Sequence, residues 1–183
     1  LGEAELRGVR VALQGCGNVG AALARQLAGA GARLVVSDVD PDRARRVAAE
    51  VDARVVAPDD IYDVEADVFA PCALGGILDA ETTPRLRCAI VVGGANNQLR
   101  EPADGARLLE RGIVYVPDYV ANAGGVITGF GELSGRPPEW GTARVDGIYD
   151  TVLEVLRRAD GAGIPPHAAA DLIAEARITA AAG

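Results

Sequence analysis

Three glycines, Gly15, Gly17 and Gly20 in the run QGCGNVG, form the pattern G-x-G-x-x-G. Main-chain anion binding is the chemistry such a turn performs. The first glycine permits a tight turn, the second lets backbone come close to a pyrophosphate, and the third lets a helix pack closely on a strand. A helix starting beyond Gly17 would point unpaired N–H groups and the positive end of its dipole at the phosphates. Asp38 follows the turn by roughly the 20 residues at which an acid hydrogen-bonds the adenosine ribose hydroxyls. A hydrogen bond to a charged group contributes about 1.5–3 kcal/mol, and a 2′-phosphate would meet that carboxylate, so NAD is expected over NADP. Arg43, Arg45 and Arg46 follow closely and soften the preference. As the N-cap of the next helix, Asp38 fits less well than Asp40, which immediately precedes Pro41.

Glycine-rich turns are common, so the motif gains its weight from the elements that position it. The apolar run from Val9 to Leu13 reads as a strand, and AALARQLAGAGA after the turn carries apolar residues at helical spacing. Arg33 to Ser37 is a second strand, ending beside Asp38, and PDRARRVAAEVD, opened by Pro41, a second helix. Further strands are expected at 54–56, 67–70, 88–92 and 113–116, separated by helices or short loops. Short, nearly all-apolar strands alternating with helices indicate an α/β chain, a doubly wound Rossmann fold with a mostly parallel sheet covered on both faces. GRPPEWG, residues 135–141, is the expected break between a Rossmann unit of residues 1–135 and a helical extension of residues 136–183. Two helices are expected in that extension, one over 142–160 and one over 165–181.

With 183 residues and half of them apolar, the chain has enough for one sizeable core. A net charge of −8 opposes sequence-independent binding to nucleic acid or anionic membranes. No apolar window reaches membrane-spanning length, and LGEAELRG at the start is charged, so a cytoplasmic protein is expected. Cys16, Cys72 and Cys88 have neither disulfide-scaffold nor zinc-cage spacing and are expected as reduced thiols. The single histidine, His167, reads as part of a helix start, and no metal site is expected. All 18 basic residues are arginine, which cannot substitute for a lysine base of lowered pKa. The absence of methionine, including at position 1, fits a fragment or a processed segment.

The stretches VALQGCGNVG, DVFAPCALGG, GGANNQL and VPDYVANAGGVI, in this order and over nearly the whole chain, resemble the Glu/Leu/Phe/Val dehydrogenase family, especially its leucine, valine and phenylalanine members. The resemblance implies NAD-dependent oxidative deamination of a branched-chain or aromatic L-amino acid to the 2-oxo acid and ammonia. It implies that Gly15, Gly17, Asn18, Val19 and Gly20 hold the pyrophosphate and Asp38 the adenosine ribose, with Cys72, Ala73 and Leu74 running beside the dinucleotide. Cys72 is read as a small packing residue. Ala95, Asn96 and Asn97 would serve the nicotinamide ribose and the substrate carboxylate, Asn97 foremost, and Asn122 the nicotinamide carboxamide. Gly124 and Gly125 would admit the ring. Val126 and, a helical turn later, Gly129 or Phe130 would line the substrate side-chain pocket, without separating leucine, valine and phenylalanine as substrates.

In that family the catalytic lysines and an acid–base aspartate lie on a preceding domain, so no catalytic residue is expected here and the chain alone is expected to be inactive. Full-length relatives form homo-oligomers largely through that domain, and oligomerisation is not carried over. Against an enzyme fragment stand a non-catalytic NAD-binding module, which would have no use for Asn97, Asn122 and Val126, and a SAM-dependent methyltransferase, in which ANNQL and NAGGVI have no role. A glutamate-specific member of the same family is disfavoured by the lack of a basic residue near Val126.

Overall fold

The computed structural model describes residues 6–182. The charged start of the chain therefore lies mostly outside the described residues. Six parallel strands form one sheet in the order β3-β2-β1-β4-β5-β6: β1 (Arg10–Gln14), β2 (Arg33–Ser37), β3 (Arg54–Val55), β4 (Val68–Pro71), β5 (Ile90–Val91) and β6 (Val114–Tyr115). The expected strands are all present, with ends displaced by a residue or two. Ladder hydrogen bonds outlast the short strands, since Val92 N–H donates to Phe69 O at 3.1 Å and Val116 N–H to Val91 O at 3.0 Å.

Alternation along β1 builds both halves of the core. Val11 and Leu13 pack with Leu34, Val36 and Ala70 under α1 (Asn18–Gly29) and α2 (Pro41–Val51). Ala12 faces the other way, with Phe69, Val91 and Tyr115, under Leu108 of α3 (Pro102–Glu110). Asp40 caps α2, its Oδ1 accepting from Asp42 N at 3.0 Å and Arg43 N at 3.2 Å, with Pro41 at the first helical position. Glu101 and Asp104 form a reciprocal capping box at the start of α3. No α-helix forms between β4 and β5. That crossover carries only a 3-10 turn, Thr83–Arg85, anchored by Asp79.

After β6 the chain is helical: α4 (Asp118–Ala121), α5 (Gly124–Leu133), α6 (Pro138–Asp146), α7 (Ile148–Ala162) and α8 (Pro166–Ala182). Two expectations are corrected. Residues 142–160 are not one helix, because Gly147 ends α6 and begins α7. Glycine is a weak helix former, and breaking there lets α7 pack on α4 and α8. The break expected at GRPPEWG is present after α5 but shorter than expected, because Pro138 starts α6, and Trp140 and Gly141 lie inside it. Trp140 packs at a tilt against Phe130 of α5 with ring centroids 6.0 Å apart, and Arg144 lies 4.0 Å over its ring. Val155, Ala159, Ala169, Ala170 and Ile173 bury the α7–α8 seam. His167 stands in the first turn of α8, beside Gly105 of α3.

Candidate dinucleotide site at the carboxyl edge of the sheet

The chain turns sharply where β1 ends. Gly15 has φ +95°, its N–H donates to Ser37 O at 2.7 Å, and a Cβ there would lie 2.8 Å from the backbone of Ala73. At Gly20 a Cβ would sit 1.9 Å from Gly15 O, so helix and turn approach as only glycine permits. Gly17 differs. It precedes α1 with φ −70°, has no side-chain cap, and a Cβ there would meet nothing within 4 Å. The start of α1 thus presents backbone to open space, the arrangement a pyrophosphate requires.

Asp38 is buried beneath this turn. Its Oδ2 accepts Cys16 N–H at 2.6 Å and its Oδ1 accepts Asp40 N–H at 2.8 Å, with Arg43 3.6 Å away. A carboxylate oxygen can accept more than one hydrogen bond, so bracing the turn does not exhaust the group. Burial, with the Asp38 carboxylate adding to it, pushes the Cys16 thiol up to about 11.

Loops after β4, β5 and β6 complete the edge. Cys72 Sγ accepts from Gly94 N–H at 3.4 Å, and burial raises its thiol pKa, which suits a packing residue. Ala73 and Leu74 are exposed on the same edge. In GGANNQL, Ala95 is buried, while Asn96 and Asn97 are exposed. Asn97 adopts a left-handed conformation, φ +52°. Asn122 Nδ2 donates to Asn96 Oδ1 at 2.7 Å, joining the two amide-bearing loops. Asn18, Val19, Asn96, Asn122 and Val126 line one cleft of about 1060 Å³, with Gly124 and Gly125 on its wall. Gly129 is not brought to that wall, and Phe130 turns onto Trp140 instead.

Three buried polar residues were not singled out from the sequence. Gln98 staples its own loop, donating to Gly93 O and Ala95 O, both at 3.0 Å. Asp118 accepts Asn97 N–H at 2.7 Å and Tyr115 O–H at 2.7 Å. Burial, then the Asp118 carboxylate, raises the Tyr115 pKa, so the phenol remains a donor. The available signal was an acid in an otherwise apolar run, IVYVPDYV. Among the described residues, no group of histidine, cysteine and carboxylate could hold a metal ion, and no helix is long and apolar enough to cross a membrane.

The comparisons with known proteins agree with this geometry. The family model described as Glutamate/Leucine/Phenylalanine/Valine dehydrogenase matches residues 39–148. A leucine dehydrogenase of Thermoactinomyces intermedius is 50% identical over 97% of this chain and 48% of its own length. A valine dehydrogenase of Streptomyces albus is 46% identical over 98% of the chain and 50% of its own. The crystal structure of L-tryptophan dehydrogenase from Nostoc punctiforme superposes with a TM-score of 0.92 at 45% identity, covering 96% of this chain and 53% of that one. The chain therefore spans about half the length of these relatives. With four motifs in order, a shared fold and a matching family model, this chain belongs to the glutamate/leucine/phenylalanine/valine dehydrogenase family.

Proposed function

We propose that this chain is the NAD-binding half of an amino-acid dehydrogenase that oxidatively deaminates a branched-chain or aromatic L-amino acid to its 2-oxo acid and ammonia. The observation that carries the reading is the glycine turn: Gly20 closes helix against strand, Gly17 leaves open space at the uncapped start of α1, and Asp38 sits beneath, each oxygen holding one backbone N–H.

Gly15, Gly17, Asn18, Val19 and Gly20 would hold the pyrophosphate, Asp38 the adenosine ribose, and Cys72, Ala73 and Leu74 would flank the dinucleotide. Ala95, Asn96, Asn97 and Asn122 would orient the nicotinamide half. When bound, NAD supplies the hydride acceptor. The chain's own part is to fix the ring's position and exclude water with the apolar wall of the cleft. That wall carries no charged side chain among the described residues, which favours an apolar amino acid over glutamate at Val126. Gly129 enters the reading only as a neighbour of Val126 on α5. Residues 1–135 form the dinucleotide-binding unit and residues 136–183 the extension on it. Arginine cannot stand in for a lysine of lowered pKa, so the lysine chemistry that the family resemblance implies would come from residues outside this chain. Three free, partly or fully buried cysteines fit a reducing, cytoplasmic setting.

Calorimetric titration of the chain with NAD and NADP tests this. NAD is expected to bind at least about tenfold more tightly, because a 2′-phosphate would face Asp38. Equal affinities, or binding of neither, would contradict it.

A further inference from the structure

We propose that Asp118 is a positioning residue: its buried carboxylate locks the main chain of Asn97, so that the Asn97 side chain is presented to the nicotinamide end of the dinucleotide. This deepens the NAD-binding reading and rests on it.

A buried carboxylate is costly unless its oxygens are satisfied. Asp118 divides its two oxygens between loops, Oδ1 accepting from Tyr115 at the end of β6 and Oδ2 from the Asn97 N–H, each at 2.7 Å. A charged acceptor makes the second bond stronger than a neutral one. It falls on a residue in the left-handed region, φ +52°, which asparagine enters more readily than most side chains, and it helps fix that conformation. The other side of Asn97 is held too, its carbonyl accepting Gly76 N–H at 2.7 Å from the loop after β4. With N–H and C=O both tied, the side chain has no part in fixing the loop and lies exposed on the carboxyl edge.

The main-chain carbonyl of the same residue, not its carboxylate, receives the second amide-bearing residue. Asp118 opens α4, and one turn later Asn122 N–H donates back to Asp118 O at 2.8 Å while its amide reaches Asn96 Oδ1. The carboxylate therefore acts on Asn97 alone, while Asn122, the other side chain read as meeting the nicotinamide half, is held by the helix backbone and by Asn96. Its effect is confined to that end, because the adenosine half is held by the turn after β1 and by Asp38.

The test uses the full chain with two probes, NAD and ADP, which fills only the adenosine and pyrophosphate part. Variants are Asp118→Asn, Asn97→Gly, which tolerates the left-handed backbone, and the double variant. Asp118→Asn is expected to weaken NAD binding about tenfold, leaving ADP within about twofold, and the double variant should bind NAD no more weakly than Asn97→Gly alone. Equal losses for both probes, or additive losses in the double variant, overturn the inference. Should Asp118→Asn fail to fold, Tyr115→Phe, which keeps the carboxylate and drops one bond, must still lower NAD affinity selectively. Amide exchange at Asn97, read without ligand, must quicken in either variant, and unchanged exchange also overturns it. A wild-type chain that binds neither probe contradicts the NAD-binding reading itself, and the exchange result then decides separately whether Asp118 locks Asn97.

Discussion

Asp38 does two things with one carboxylate, and only one of them was legible in the sequence. Its distance from the glycine turn marks it as a ribose ligand, because that spacing is set by one helix and one strand. Its second task, bracing the turn through the Cys16 N–H, depends on where the chain returns 22 positions after Cys16, which no local pattern encodes. The two roles predict a compound phenotype. Asp38→Ala should weaken NAD about tenfold or more, and it should also cost about 1–3 kcal/mol of stability, because the buried Cys16 N–H loses its acceptor. Calorimetry and urea unfolding read the two effects. Lost affinity at unchanged stability would show that the brace is unimportant. Asp118 and Gln98 illustrate the same limit, since a polar letter inside an apolar run does not disclose the loop it will satisfy.

Elements were legible where local chemistry decides them. The glycine turn, the first two helices and the proline start of α2 stand as the sequence indicates, because caps, prolines and apolar periodicity act over a few residues. The break at Gly147 and the helix-free crossover between β4 and β5 were not legible. Both answer to tertiary packing, the first to α7 seating on α4 and α8, the second to a turn anchored by Asp79. The turn itself offers a sharp contrast between two glycines of one motif. Gly20→Ala would drive a Cβ to 1.9 Å from Gly15 O, and is expected to destabilise the fold by about 3 kcal/mol. At Gly17 a Cβ meets no protein atom, so Gly17→Ala should leave stability within about 1 kcal/mol and yet abolish NAD binding by occupying the space reserved for the pyrophosphate. Chemical denaturation beside a binding assay separates them. Equal effects of the two substitutions would refute the division of labour.

For the molecule as a whole, the order β3-β2-β1-β4-β5-β6 places the β1 and β4 loops on either side of a switch point, where a crevice opens at the carboxyl edge. The cleft begins there, among Asn18, Val19 and Gly94, and continues over Val68 and Ala70 toward Val145 and Ile148. Val126, Phe130 and Leu133 on α5 and Tyr149 on α7 remain exposed. The family and the parallel sheet were readable from four motifs, whereas the side-chain pocket was not, because of the residues expected to line it Val126 reaches the cleft and Gly129 and Phe130 do not. The central claim, that a dinucleotide lies across this edge, is tested most directly by mapping amide resonances during NAD titration. Shifts should concentrate at Gly15, Gly17, Asn18, Asp38, Cys72, Asn97 and Asn122, while α3 and the α7–α8 seam stay unmoved. Shifts that avoid the glycine turn, or none at saturating NAD, would contradict it.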